Sequence, residues 1–341
     1  MNHHVSPLQA LDDIQKITIP FDLPNGPGPI NVYLLCGSPL TLIDSGIKGP
    51  RCLEYIREAL AACGYRLEEI ERIYLTHGHL DHFGGARAIR AISGADIYIH
   101  PLDRAKAQLS VEALFETEMP LIRNFFRDAG VPDSYWDHYH SVVRDLFETL
   151  ADPIPGELKP LTAGQILPAG RRYLEVLHLP GHTPGTVCFY DEAGGVLFSG
   201  DHLLAAITPN PLVELAARAD NGYRSLKSYL ASLKRIKAID ARLVLPGHGD
   251  LIYDHRTLAD RFIRHHEGRK EQIYGSIAQA PKTRWELAGR LFGDLTGQEV
   301  FLGLSEVQGH LDILWEENRI RRNKKGDCFY YRANMEALQA V

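Results

Sequence analysis

Apolar and polar positions alternate through "QKITIPF" (15–21), and short β-type runs follow at "INVYLLCG" (30–37) and "LTLIDSG" (40–46). The pattern predicts strands, the first two joined by a loop dense in Pro and Gly at 23–29. The apolar period then lengthens: Leu53, Ile56 and Leu60 share one face of a helix that Gly64 stops. A buried strand ("IERIYLT", 70–76), a helix (84–94) and another strand ("ADIYIH", 95–100) come next. Residues 102–150 break this rhythm and read as two or three helices, rich in Phe, Tyr and Trp, inserted between two strands. Strands resume at 165–170 and 172–181, then form a hairpin around "DEAGG" (191–195). An amphipathic helix follows (221–239; Tyr223, Leu226, Leu230, Leu233, Ile236), and a further strand runs into "LPGHGD" (245–250). Strands and helices thus alternate twice over, which predicts a layered α/β domain. From 265 to 341 the pattern is three helices (266–279, 282–293, 304–320 with Ser305 as N-cap) and a hairpin turning at Lys324-Lys325-Gly326-Asp327. That order is the winged-helix pattern. The predicted division is therefore a domain at 1–264 carrying the insert 102–150, and a small domain at 265–341.

Bulk properties narrow the function classes. A chain of 341 residues suits one large domain plus a small one. Its net charge of −6 gives no electrostatic reason for strong nucleic-acid binding by the whole chain. The five cysteines are scattered with no C-x-x-C pair, so they indicate neither a disulfide framework nor a cysteine-zinc site. The N-terminal stretch has no basic n-region followed by an apolar h-region, and no apolar run approaches the ~20 residues of a membrane span. The expectation is a cytoplasmic protein with no membrane association.

The chemistry concentrates in "THGHLDHFGG" (76–85), which holds His77, His79, Asp81 and His82 among glycines. A helix would set residues 77 and 79 about 200° apart, so both reach one ion only from a loop. Three distant segments add His182 in "LPGHTPG", Asp201 in "FSGDHL" and His248 in "LPGHGD". Each lies after an apolar run, where α/β sheets gather functional loops. Five imidazoles and two carboxylates are enough donors for two divalent ions, and they suit zinc, manganese or iron better than copper(I). Two ions about 3.5–4 Å apart can share a bridging hydroxide and polarise a substrate oxygen.

The complete H-x-H-x-D-H at 77–82, with His182, Asp201 and His248 in order, resembles the metallo-β-lactamase-fold hydrolase superfamily, which includes glyoxalase II and ribonuclease Z. The likeness covers residues 15–260. It implies an α/β fold, an αββα four-layer sandwich with the site at one edge. It assigns His77, His79 and His182 to one metal and Asp81, His82 and His248 to a second, with Asp201 bridging. Asp44, in "LIDSG", would orient a ligand; Asp44 and Asp81 are the expected catalytic acids. The implied cofactor is two divalent ions, with zinc favoured over iron or manganese. The implied activity is hydrolysis by a metal-bridging hydroxide.

Substrate class is read from the insert. An insert at this point would lie near the metal edge in such a fold. Its aromatics would then form an apolar lid over a small thioester, ester or lactone, with Phe125, Tyr135, Trp136, Tyr139 and His202 in the pocket. Alternatively the insert is a self-contained helical hairpin or a homodimer contact. The winged-helix-like tail resembles the module that follows this fold in lactamase-beta-like endoribonucleases. A phosphodiesterase or endoribonuclease gripping RNA with Arg319, Arg321, Arg322, Lys324 and Lys325 is therefore the second reading, and a non-enzymatic metal-dependent regulator the third. Residues 265–341 carry eleven Lys/Arg against eleven Asp/Glu, and the third helix is acidic, which disfavours DNA reading. His138, His140, His255, His265 and His266 are expected on the solvated surface, as are His3 and His4.

Overall fold

The computed structural model describes residues 12–21 and 26–335, so His3 and His4 lie outside the described residues. Its first sheet holds β1 (Ile14–Ile19), β2 (Ile30–Leu35), β3 (Thr41–Ile43), β4 (Arg72–Tyr74), β5 (Asp96–Ile99) and β6 (Lys159–Pro160), side by side in that order. The β1–β2 and β2–β3 pairs are antiparallel; the remaining pairs are parallel. The second sheet holds β7 (Ile166–Ala169), β8 (Arg172–His178), β9 (Val187–Asp191), β10 (Val196–Gly200) and β11 (Leu243–Pro246), with β11 parallel to β10 at one edge.

Period-two alternation builds the layers. On β2, Val32 and Leu34 face a core shared with α1 (Pro50–Ala62), while Tyr33 and Leu35 face the second sheet. The short α2 (Leu80–Phe83) and then α3 (Ala86–Ser93) follow β4, and Ile89 of α3 joins the outer core. On the second sheet, Val187, Phe189, Val196 and Phe198 point inward, while Cys188 and Leu197 point outward to a third core. Helix, sheet, sheet, helix is the four-layer αββα sandwich that the resemblance implies.

Between β5 and β6 the insert forms α4 (Arg104–Gln108), α5 (Val111–Thr117), α6 (Met119–Ala129) and α7 (Ser134–Leu150). There are four helices rather than two or three. Ser110 caps α5 by accepting from the Ala113 amide (3.1 Å), and Pro120 sits in the first turn of α6, so these helix starts are encoded by a cap and a proline rather than by the apolar stripes. Next come α8 (Leu215–Asn221) and α9 (Ser225–Ile236); Leu226, Tyr229 and Leu233 of α9 pack on the second sheet.

The predicted break at 264/265 falls inside one continuous helix, α10 (His255–Gln279). Leu258 and Phe262 of its first half pack with α9 against the second sheet, whereas Ile273 and Ile277 enter a different core. The chain continues through α11 (Arg284–Phe292), α12 (Glu299–Glu316), β12 (Ile320–Lys325) and β13 (Cys328–Ala333), with Lys282 bridging to Tyr331 beside the hairpin. Helix α12 starts five residues earlier than the pattern predicts. Ser305 is fully buried inside it rather than capping it.

The fourth core joins insert and tail. Phe115, Met119, Phe125, Phe126 and Tyr139 pack with Leu287, Leu304, Leu311, Leu314 and Tyr331. Arg284, buried at the start of α11, lies over the Phe125 ring (4.2 Å) and donates to the Phe125 carbonyl (3.2 Å). The insert's aromatics are thus consumed by the tail. Phe126→Ala should cost about 3–5 kcal/mol in denaturant unfolding. Hydrogen exchange should rise in α6 and α12 together; a rise confined to the insert would show that the two do not share a core.

Candidate metal centre

Four loops converge at the C-terminal ends of β4, β8, β10 and β11. Three donor groups arise there, each with its ligand atoms mutually within 4.8 Å: His77, His79 and His182; His77, His82 and Asp201; Asp81, His82 and His248. His182 Nε2 lies 2.9 Å from His79 Nδ1, and Asp201 reaches both sides, with one oxygen 3.6 Å from His182 Nε2 and 3.5 Å from His248 Nε2. Asp81 lies 3.3 Å from His248 Nε2. All seven residues singled out from the motifs come together, and Asp201 stands between the two groups.

Four of the five rings, all but His79, are turned by a second contact. His82 Nδ1–H donates to Asp44 (2.8 Å), which also accepts from the Thr76 amide (2.8 Å) and hydroxyl (2.9 Å). Thr76 Oγ1 in turn contacts His77 Nδ1 (3.0 Å). His182 Nδ1–H donates to the Asn210 carbonyl (3.2 Å), and His248 Nδ1–H to the carbonyl of Gly28 (3.1 Å). With Nδ1 occupied in all four, the Nε2 lone pairs face the cluster. Asp44 sits at φ 59°, a left-handed conformation uncommon for a non-glycine residue, and this bend aims its carboxylate back under β4.

Asp103 was not legible in the motifs. It follows β5 in "HPLD", is fully buried, and accepts from the amides of Gly78 (2.9 Å) and Gly185 (2.9 Å) and from the Thr183 hydroxyl (2.5 Å). One carboxylate thereby pins the loop of His77 and His79 to the loop of His182. Close approach demands glycine nearby: a Cβ on Gly185 would stand 2.6 Å from Asp103 Cγ, and one on Gly247 2.4 Å from Asp201 Oδ1. Lys106 was also missed. Its Cβ would lie 3.1 Å from a Cβ on Gly78, and its ammonium pairs with Glu214.

The electrostatics ask for cations. Burial, then the neighbouring imidazoles, hold His77 well below its ordinary range; burial does the same for His79, and these rings are neutral at pH 7. Burial opposes charge on His82 and His248 as well, but Asp201 and its fellow carboxylates outweigh it and raise both. Burial likewise opposes charge on Asp81, yet His82 and His248 pull its carboxyl down to about 2. Three carboxylates thus draw protons onto two imidazoles where positive charge is scarce. Divalent ions fit that demand and would displace those protons. The orphaned buried atoms agree: His77 Nε2, His82 Nε2, His248 Nε2 and Asp201 Oδ1 have no hydrogen-bond partner.

The expected substrate pocket is not assembled here. Phe125 and Tyr139 are buried in the insert–tail core; Tyr135 packs on Trp285 (4.9 Å) and Trp136 on Phe126 (6.0 Å). His202 is fully buried against Tyr229 (5.1 Å) rather than beside the insert's aromatics in a pocket. Two histidines expected at the surface, His255 and His266, are each only 2% exposed. His266, His265 and Glu306 form another donor group in the α10–α12 seam. With β-type motif spacing absent there, only the packing of two helices brings these side chains together.

A model of the metallo-beta-lactamase superfamily matches residues 25–248. "Probable metallo-hydrolase YqjP" of Bacillus subtilis (strain 168) is 27% identical over 331 residues, covering 94% of this chain and 98% of that protein. "Acyl-coenzyme A thioesterase MBLAC2" of Gallus gallus is 28% identical over 244 residues, covering 68% and 78%. The crystal structure of metallo-beta-lactamase family protein TTHA1429 from Thermus thermophilus superposes with a TM-score of 0.79 at 28% identity, covering 94% of this chain and 99% of that one.

Asp103→Ala should weaken metal binding about 10–100-fold in chelator competition while circular dichroism stays unchanged; undiminished affinity would remove its orienting role. For Glu306, burial raises the carboxyl from the usual range to about 7. Its folded form keeps its proton, so its stability contribution is complete below about 4.5 and is lost as pH rises through 7. Glu306→Gln should therefore gain stability relative to wild type between pH 5 and 8, by roughly 3 kcal/mol at most in urea unfolding.

Proposed function

The chain belongs to the metallo-beta-lactamase superfamily and is a metal-dependent hydrolase; from that premise we propose that it holds two divalent ions, zinc by preference, and hydrolyses a carboxylic thioester. The observation that carries the two-ion reading is Asp201, whose two oxygens stand between a three-histidine group and an Asp81–His82–His248 group. In this assignment His77, His79 and His182 hold one ion, Asp81, His82 and His248 the other, and Asp201 both. Imidazole with carboxylate is a donor set suited to zinc. Ions bound there supply Lewis-acid polarisation of a carbonyl oxygen and acidify water near neutral pH.

The protein's own residues set the rest. Burial keeps His77 and His79 unprotonated, so they are ready to donate lone pairs at pH 7. Asp44 fixes the tautomer of His82 and, through Thr76, orients His77. Asp103 sets the separation of the loops that carry His79 and His182. Lys106 packs its Cβ against the Gly78 turn and holds its ammonium against Glu214 at the edge of the same site.

Thioesters are favoured over esters, lactones and phosphodiesters because acyl-coenzyme A thioesterases from Gallus gallus and Bos taurus are among the relatives. The insert does not add a lid argument, since its aromatics are spent on the tail. A panel of acyl-CoA thioesters, lactones, bis-p-nitrophenyl phosphate and single-stranded RNA separates the classes; turnover of phosphodiesters alone would overturn the thioester reading. Elemental analysis should give two ions per chain, and a single iron would overturn the two-ion site. His79→Ala should lower kcat/KM about a thousandfold or more, and chelation should abolish turnover until zinc is restored.

A further inference from the structure

Helix α8 begins one residue after Glu214, the partner of Lys106 at the metal-centre rim. Its other face, together with α12 and the hairpin, encloses a cleft of about 420 Å³. The lining includes Arg218, Arg224, Asp312, Trp315, Arg322 and Tyr331. Arg218 and Asp312 form a two-bonded pair (the longer bond 2.6 Å), and Gln308 donates to the same carboxylate (2.7 Å), so the floor is fixed. Arg224 donates through Nη1 to the carbonyls of Gly222 (2.9 Å) and Tyr223 (3.1 Å) and reaches Asp312 only at 3.6 Å. Arg322 has no carboxylate partner among the described residues and lies against the rings of Phe329 (4.7 Å) and Trp315 (5.5 Å). The other lining acid, Glu316, is bonded by Lys227 (2.7 Å).

The cleft therefore has a guanidinium in excess and an indole, Trp315, that is 45% exposed despite its position in a wall. A large exposed aromatic beside an unpaired guanidinium suits a ligand with a flat π-face and a phosphate: the ring stacks on the indole and the phosphate accepts from the guanidinium. The volume accommodates a nucleoside phosphate. Resting on the thioester reading above, we propose that this cleft binds the phosphorylated adenosine end of an acyl-coenzyme A. Trp315 stacks on the adenine, Arg322 and Arg224 hold phosphate, and the acyl arm runs past α8 toward Lys106. Substrate choice is thereby set by the carrier as much as by the acyl group.

The test compares acyl-CoA with the same acyl group on N-acetylcysteamine, using the full-length metal-loaded protein. Arg322→Glu and Trp315→Ala should each raise KM for acyl-CoA about 10- to 100-fold. They should leave kcat, and all kinetics on the short thioester, unchanged. Equal losses on both substrates, or no change on either, would overturn the proposal. Adenosine 3′,5′-bisphosphate serves as an independent probe, titrated by calorimetry. It should bind wild type and not Arg322→Glu, and failure to bind wild type overturns the cleft assignment. If the wild type turns over no thioester at all, the activity reading fails, while this titration still decides the cleft. A single-stranded RNA oligonucleotide that binds the cleft more tightly than the bisphosphate, and loses binding in Arg322→Glu, would also overturn it by naming a different occupant.

Discussion

A carboxylate buried away from water is costly unless it is bonded on every side. Asp103 and Asp44 meet that condition by gripping the backbone and side chains of the loops that carry the metal donors. Asp103 accepts from two different loops, so it determines how far His77 and His79 stand from His182. Asp44 does the same between the end of β3 and the His82 turn. The sandwich beneath delivers loop ends to one edge; these two acids turn loop ends into a constellation. Without them the seven donors would be neighbours, with no fixed geometry among them.

The donors themselves were readable because their motifs follow strand ends and carry glycine, and strand ends are found from apolar runs. His77 to His82 share six positions, and His182, Asp201 and His248 each close a run of β-type residues. The alternation of strands and helices made a layered α/β domain readable, and the resemblance supplied the four layers; β2 and β9 are nearly continuous apolar runs because both of their faces are covered. Asp103 and Lys106 escaped because one ends the short turn after β5 and the other lies in the first helix of the insert, both outside the donor motifs. What makes Asp103 important is the amide of Gly185, eighty-two positions away, and no local pattern encodes that.

The insert shows the opposite failure. Its aromatic excess was visible, but the surface that needed it was not. A lid, a hairpin and a dimer contact all have the same one-dimensional signature. Phe125, Phe126 and Tyr139 instead share one core with α11 and α12. His255 and His266 were misjudged for a related reason: a polar residue on a long helix looks solvated until a second helix arrives, as α12 does beside His266.

The helix α10 crosses from one core to the other without interruption over 25 residues. Its consequence concerns inheritance. A tail joined through a flexible linker can be exchanged as a cassette by a single crossover. Here a crossover at the linker position would cut a helix and strand an aromatic insert encoded some 120 residues earlier. The tail, the insert and the shaft between them can therefore change only in concert, and a chimera would have to carry all three.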